Sequence, residues 1–252
     1  MRIVKTIGSR IDYPGYNARV LFTPSCNFRC PTCFAKGLVE YKENGDDIGK
    51  IFEKIKDAGG WIDAIVICGG EPTLQKDLLK FLKFVRKIDL NFRRQKLKIK
   101  IDTNGSRPEV LEEILSENLA DYIALDIKGP PYLYSQLTGN ENLCLDRIEE
   151  SMLIAQNFPD YEFRTTMVPV YSKSGLRWFY SEEIKDMSEW ARMYATKGKW
   201  YVQPFIANRK EEMLDERFAG ENLPKEFHET PKEKLEEAGE IISRYGFSVK
   251  VR

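Results

Sequence analysis

The residues of this chain with the most distinctive chemistry are Cys26, Cys30 and Cys33, set in Thr23-Pro24-Ser25-Cys26-Asn27-Phe28-Arg29-Cys30-Pro31-Thr32-Cys33. Thiolates are soft ligands suited to zinc or iron–sulfur centres. The C-x3-C-x2-C spacing can place three of them on one compact loop, which Pro31 and its polar neighbours keep out of regular structure. Three thiolates are one short of a closed tetrahedral site. A closed site is structural, whereas an open position can bind and activate something else. The remaining candidates for a fourth ligand are Cys68, Cys144 and the only histidine, His228, and none has zinc-finger or zinc-ribbon spacing to the loop. The three loop cysteines are therefore expected to hold a metal cluster with one open coordination position. A closed zinc or iron–sulfur module without catalysis is the alternative. Cys68 and Cys144 are expected as small buried side chains, Cys68 lying near the cluster, and His228 as a solvated loop residue.

Further polar residues follow apolar runs at regular intervals. Ala18–Thr23 reads as the strand that delivers the cysteine loop. Ile62–Cys68, with consecutive small or apolar residues from Ala64, suits a parallel strand covered on both faces, and Gly69-Gly70-Glu71-Pro72 closes it. Leu97–Asp102 alternates Leu97, Ile99 and Ile101 against Lys98, Lys100 and Asp102, then runs into Thr103-Asn104-Gly105. Such a polar second face fits an open, partly wet lumen. On Tyr122–Ile127, period-two geometry points Asp126 the same way as Lys128, so the pair can share a ligand or form a structural ion pair. Arg164 lies on Tyr161–Val168 with Glu162 and Thr166 on its face, able to reach a ligand or pair with Glu162. Gln203 ends Trp200–Gln203.

Helical spacing separates these strands. It appears at Ile48, Ile51, Phe52 and Ile55, stopped by Gly59-Gly60 after a polar stretch with Asn44-Gly45. It recurs at Leu78, Phe81, Leu82, Val85 and Ile88, around Pro108–Glu117 and Leu145–Asn157, at Ile184, Met187, Ala191 and Tyr194, and at Leu235, Ala238, Ile242 and Tyr245. Ser248–Val251 reads as a terminal strand. Six strand–helix alternations predict an α/β fold: a partial (β/α)6 TIM-like barrel with parallel strands and its active site at their C-terminal ends. One domain is expected over 1–252, with the cluster loop at 24–34, the core barrel at about 18–205 and a C-terminal helical and strand extension at about 206–252. The open side of such a barrel could admit a loop of another protein.

The cysteine loop, Gly69-Gly70-Glu71-Pro72, Asp102-Thr103-Asn104-Gly105, Asp126-Ile127-Lys128 and Tyr161-Glu162-Phe163-Arg164-Thr165-Thr166-Met167-Val168-Pro169 together resemble the radical S-adenosylmethionine (radical SAM) superfamily over residues 11 to 205 or so. The set is most similar to its glycyl radical enzyme activases, particularly the activating proteins of anaerobic ribonucleotide reductase. The resemblance implies a 4Fe–4S cluster on Cys26, Cys30 and Cys33, with S-adenosylmethionine chelating the fourth iron. Reductive cleavage there would give methionine and a 5′-deoxyadenosyl radical, which takes hydrogen from a glycine of a partner. It implies that Gly69, Gly70 and Glu71 meet or orient the methionine amino group and Lys128 the carboxylate. Asp102, Thr103 and Asp126 would surround a monovalent cation, sodium or potassium, beside that carboxylate. Asn104 belongs to the same cofactor set or is turn chemistry alone, and Arg164 reaches the cofactor. Thr32 and Phe34 stand where many relatives carry an aromatic and a histidine near the adenine, and Gln203 is the polar candidate for the ribose where activases often place a histidine. A small-molecule radical enzyme of the 7-carboxy-7-deazaguanine synthase type is the enzymatic alternative.

Composition limits partners. The 39 basic residues balance 39 acidic ones, so no net charge recruits nucleic acid or anionic lipid. The basic segment Arg86-Lys87 and Phe92-Arg93-Arg94-Gln95-Lys96 reads as a solvated face rather than a nucleic-acid site. The N-terminus has no apolar signal core and no run reaches the roughly 18 apolar residues of a membrane span, so a cytoplasmic, membrane-free protein is expected. A cluster that cleaves a sulfonium works near the low end of the roughly −700 to +450 mV that iron–sulfur proteins span, which implies a ferredoxin- or flavodoxin-type electron donor. Pro130-Pro131-Tyr132-Leu133-Tyr134 and Trp178-Phe179-Tyr180 follow strands on the expected active face, as docking loops for a partner or as ordinary packing.

Overall fold

The alternation in Lys98–Thr103 is resolved by what lies on either side of the sheet. The structure is a computed structural model that describes residues 1–41, 49, 51, 55, 61–87, 96–207 and 213–252. In it, strands β1 (Lys5–Ser9), β2 (Ala18–Thr23), β3 (Ala64–Gly69), β4 (Lys98–Thr103), β5 (Tyr122–Asp126), β6 (Asp160–Met167), β9 (Lys199–Pro204) and β10 (Ser248–Val251) form one sheet in the order β1-β2-β3-β4-β5-β6-β9-β10. β2 through β10 are parallel along that order, and β1 runs antiparallel to β2. The six expected strands form the centre. β10 extends one edge as the terminal strand, and β1 extends the other without having been expected. Its sequence, Lys-Thr-Ile-Gly-Ser, is mostly exposed and carries no apolar alternation to read. A separate hairpin, β7 (Val170–Ser172) with β8 (Gly175–Arg177), is too short for a periodic signal. Among the described residues the two outermost strands, β1 and β10, have no second sheet neighbour, so the barrel stays open.

One face of the sheet is mostly apolar: Ile65, Ile67, Ile99, Ile101, Ile123, Leu125, Phe163, Trp200 and Val202 are fully buried. Helices cover it with the stripes their spacing implies. Leu78–Lys87 inserts Leu78, Phe81, Leu82 and Val85; Pro108–Ser116 inserts Leu111 and Ile114; Leu145–Ala155 inserts Ile148 and Met152. Ser181–Tyr194 and Lys232–Ser243 do the same through Ile184, Met187 and Ala191, and through Leu235, Ala238 and Ile242. Ile51 and Ile55 are helical and buried, while Ile48, Phe52, Gly59-Gly60 and Asn44-Gly45, like Ile88 and Phe92-Arg93-Arg94-Gln95, lie outside the described residues. Arg86 is not simply solvated: its Nη1 lies 2.8 Å from Asp121 Oδ2. Among the described residues no helix is long and apolar enough to cross a membrane.

The other face lines the lumen. At the N-terminal end of the parallel strands, Tyr13 from the β1–β2 loop plugs it against Ala18, Val20, Ala64, Val66 and Tyr122, with the Tyr13 and Tyr122 rings edge to face at 5.4 Å. Above this plug Lys100, only 1% exposed, donates from Nζ to the Asp12 carbonyl at 2.8 Å and to Glu162 Oε1 at 3.3 Å. The Tyr122 hydroxyl donates to the other Glu162 oxygen. A buried charge is tolerable only when paired and hydrogen-bonded, and the lumen supplies both conditions. The C-terminal ends of the strands then open into a cavity.

Trp200 shows what the outer face is worth. Its ring sits edge-on against Phe163 at 5.4 Å and Phe247 at 4.9 Å, and its Nε1 donates to Thr165 Oγ1 at 3.0 Å. Trp200→Ala should cost about 3–5 kcal/mol, read as a lower urea midpoint with an unchanged slope; a loss below about 1 kcal/mol would contradict this packing.

Candidate active site

The cysteine loop leaves β2 and is pressed onto its neighbours through backbone. A Cβ on Gly70 would stand 1.9 Å from the Ser25 carbonyl oxygen, so only glycine lets the end of β3 lie against the loop. Gly70 N–H donates to Thr23 O at 2.9 Å and Glu71 N–H to Ser25 O at 2.7 Å. Those N–H groups are therefore used, and what Gly70 can offer a ligand is its carbonyl. On the other side, Arg29 N–H donates to Thr138 O at 2.7 Å, and Gly139, with φ +58°, leaves room for the Arg29 carbonyl where a Cβ would come within 2.3 Å. Cys33 N–H closes a turn onto Cys30 O at 2.9 Å, and Leu214 N–H from the C-terminal region reaches Cys33 O at 2.8 Å. Leu214 thus braces the cluster loop, a contact without a sequence signal.

Glu71 is 1% exposed and accepts four hydrogen bonds: Thr73 N at 3.1 Å, Thr73 Oγ1 at 2.6 Å, Thr103 Oγ1 at 2.7 Å and Asn104 N at 2.7 Å. Burial pushes its pKa up, against the pull of those donors. Glu71 thereby ties the loops after β3 and β4 together. Asn104 continues the chain of contacts: its Nδ2 donates to Asn27 Oδ1 at 3.0 Å and to Cys26 Sγ at 3.7 Å, and Asn27 Nδ2 donates to Ser106 Oγ at 2.8 Å. Asn27 gave no sequence signal, because a loop asparagine beside a cysteine is ordinary turn chemistry.

Charged residues climb the lumen in alternating sign. Lys128 Nζ lies 2.9 Å from Asp126 Oδ2, so the structural ion pair exists, and Arg164 Nη2 lies 3.0 Å from Asp126 Oδ1. Arg164 Nη1 reaches Asp102 Oδ2 at 2.7 Å, and Lys100 Nζ stands 3.4 Å from Asp102 Oδ1 and 3.3 Å from Glu162. Arg164 therefore pairs across to Asp102 and Asp126, the expected cation ligands, and not with Glu162 on its own strand. Burial alone would raise Asp126, but Arg164 and Lys128 outweigh it and hold the carboxyl down at about 2. Burial disfavours the Lys128 charge, and Asp126, then Cys30, reverse that and raise its pKa. Lys128 is itself placed by Tyr134, a buried ring whose hydroxyl accepts from Lys128 N at 3.3 Å and donates to the Asp126 carbonyl at 3.4 Å. Tyr134 and Phe179 are thus core residues, whereas Tyr132 and Tyr180 are exposed.

A cavity of about 390 Å³ gathers the sequence-assigned residues. Cys26, Cys30, Cys33, Thr32 and Phe34 line it with Gly69, Gly70, Glu71, Asp102, Thr103 and Asn104, and Asp126, Lys128, Arg164 and Gln203 complete the set. The volume falls within the roughly 300–1,000 Å³ of cofactor and ligand clefts. Phe34 is 48% exposed at the rim. Cys68 is half-buried and also lines the cavity, whereas Cys144, expected to be buried, is exposed at the start of Leu145–Ala155. His228 is half-buried, with Nε2 2.8 Å from the Leu223 carbonyl.

These residues fit an iron–sulfur cluster and its ligand. Among the described residues no three His, Cys, Asp or Glu side chains converge tightly enough to hold one metal ion. Sulfurs bound to separate corners of a multi-iron cluster stand farther apart than ligands of a single ion. Cys26 Sγ already accepts from Phe28 N at 3.4 Å and from Asn104, the hydrogen bonding typical of cluster thiolates. Burial pushes the free thiols up, Cys26 to about 12 and Cys30 to about 11, so each would exchange its proton for iron on loading. Asp102 Oδ1, buried beside the cavity, accepts no hydrogen bond among the described residues and has only the ion-pair contact with Lys100 at 3.4 Å.

A half-open α/β barrel with a three-cysteine loop at the C-terminal ends of its strands defines a class of cluster-bearing enzymes. The chain belongs to the radical SAM superfamily, whose family model matches residues 20–177. A protein of Methanocaldococcus jannaschii, provisionally named a glycyl-radical enzyme activating enzyme, is 34% identical over 97% of this chain and 92% of its own length. In fold, the chain is similar to Streptococcus suis SuiB bound to precursor peptide SuiA (TM-score 0.61, 14% identity, covering 92% of this chain and 48% of that one). It is also similar to native anSMEcpe with bound AdoMet (TM-score 0.60, 13% identity, 91% and 61%). The chain spans about half to three-fifths of the length of those two structures.

Two outcomes follow from this geometry. Because the folded pKa of Asp126 is depressed below the roughly 3.9 of an unfolded aspartate, its ion pairs stabilise the fold fully above about pH 4, and that contribution is lost as pH falls toward 2. The stability gap between wild type and Asp126→Asn should shrink across that window, and a constant gap would contradict the ladder. Gly70→Ala should fold yet bind substoichiometric iron, since its Cβ must displace the Ser25 backbone; full iron and sulfide content in this variant would show that the loop is not held as described.

Proposed function

We propose that this radical SAM enzyme is a glycyl radical enzyme activase, acting on a glycine of an anaerobic ribonucleotide reductase. The observation that carries the reading is the relative provisionally named a glycyl-radical enzyme activating enzyme, similar over nearly the full length of both chains. The open barrel supports it, because a protein loop needs an unobstructed side from which to reach the cavity.

A 4Fe–4S cluster and S-adenosylmethionine held in this cavity would supply one-electron reductive cleavage of a sulfonium, with the electron coming from a low-potential donor, and through it removal of a hydrogen atom from the substrate. The chain's own residues hold and orient. Cys26, Cys30 and Cys33 hold the cluster. The carbonyls of Gly69 and Gly70 would accept from the methionine amino group, with Glu71 keeping that segment in place through its four hydrogen bonds. Lys128 would meet the carboxylate, Thr32 and Phe34 the adenine side and Gln203 the ribose. Arg164 stands between Asp102 and Asp126 and supplies the positive charge those carboxylates need. A sodium or potassium ion at Asp102, Thr103 and Asp126 would therefore share these carboxylates with Arg164. The electron donor in this reading is of ferredoxin or flavodoxin type and the setting cytoplasmic.

The test is isotopic. Reconstituted protein, S-adenosylmethionine and reductant are mixed anaerobically with purified reductase carrying α-deuterated glycine. Deuterium should appear in 5′-deoxyadenosine together with a glycyl radical EPR signal. Unlabelled 5′-deoxyadenosine without that signal, and formation of a 7-deazaguanine product from a small-molecule substrate instead, would move the reading to the synthase alternative.

A further inference from the structure

Cys26 differs from its two companions in its surroundings. Asn104 is 6% exposed and is held at its backbone N–H and at both polar atoms of its side chain. Its backbone N–H donates to Glu71 Oε2 at 2.7 Å, and its Oδ1 accepts from Ser106 N–H at 2.9 Å. A backbone N–H can only donate, so the oxygen of the Asn104 amide must face Ser106 and the NH2 must face the cysteine loop, whatever ambiguity an amide normally carries. That NH2 has two hydrogens and two acceptors in reach, Asn27 Oδ1 at 3.0 Å and Cys26 Sγ at 3.7 Å. The sulfur receives a second donor from Phe28 N at 3.4 Å.

We infer that Asn104 is a positioning residue whose side-chain amide donates to the Cys26 sulfur and thereby raises the reduction potential of the cluster. The inference rests on the cluster reading of the cysteines but not on the identity of the hydrogen donor. Reduction adds negative charge to the cluster and its thiolates, and a donor aimed at a thiolate stabilises the charged state, so it brings a very low potential within reach of the external donor. The sign separates this role from simple bracing. If Asn104 only kept the loop closed, its loss would admit water and raise the potential, because solvent also stabilises the reduced state. Loss of the hydrogen bond lowers it.

The experiment is an EPR-monitored redox titration of the reconstituted cluster without S-adenosylmethionine, in wild type, Asn104→Leu and Asn104→Asp, with iron and sulfide counted in each. Asn104→Leu keeps the size without a donor, and Asn104→Asp replaces the donor by a negative charge. Both midpoints should fall, Asn104→Asp further. Unchanged or raised midpoints overturn the inference. Should the variants fail to load iron, pulsed EPR of the reduced wild-type cluster decides, using chain labelled with 15N only in asparagine side chains. A 15N coupling is expected, and its absence overturns the inference. Wild type that cleaves S-adenosylmethionine with midpoints untouched by Asn104 sinks this inference and leaves the proposed function standing.

Discussion

The buried carboxylate of Glu71 is the constraint on which the site depends. It is almost fully out of water and answers for that position with four donors drawn from the loop after β3 and from the end of β4 and the loop it enters, while its own backbone N–H reaches the cysteine loop at Ser25. A buried acceptor without donors is costly, so these loops have one arrangement that satisfies it. Asn104 is held in that arrangement by the same carboxylate and passes it on to Asn27 and Cys26. The position of the first cysteine is thus fixed by a residue in a different strand loop and not by the cysteine loop alone.

Below the clamp, the lumen is graded. An aromatic plug of Tyr13 and Tyr122 keeps water from the N-terminal end, Lys100 and Glu162 form a buried pair above it, and Asp102, Arg164, Asp126 and Lys128 bring alternating charge up to the cavity. Alternation of sign lets each group be paired on the way to the mouth, where Lys128 and Arg164 retain partial exposure and can exchange a carboxylate of the protein for one of a ligand. The outer face does the opposite work, since its isoleucines, Phe163 and Trp200 pack the helices and hold the strand ends in register.

Much of this was legible in the sequence because it is carried by period and by residue type. Alternation in Leu97–Asp102 foretold a polar lumen, stripes such as Leu78, Phe81, Leu82 and Val85 gave the helices, and the residues singled out at strand ends for a cofactor line one cavity. What could not be read depends on partners far apart in the chain. Arg164 pairs with Asp102 and Asp126 on two other strands instead of Glu162 beside it, Tyr134 turns inward to hold Lys128, and Leu214 braces Cys33 from the far end of the chain. Cys144 is exposed where a cysteine is ordinarily buried, since its place at the head of a helix outweighs its side chain's preference. The edge strand β1 escaped because edge strands carry polar residues on both faces and so lack the signal of a half-buried one.

The measurement that bears most directly on the cluster and the cavity acting as one site is anaerobic product analysis: reconstituted wild type and Cys30→Ala, each given dithionite and S-adenosylmethionine, with 5′-deoxyadenosine quantified. Product from wild type and none from Cys30→Ala is the expected result. No product from a wild type whose cluster is intact, together with a cluster spectrum that does not change on adding S-adenosylmethionine, would contradict it.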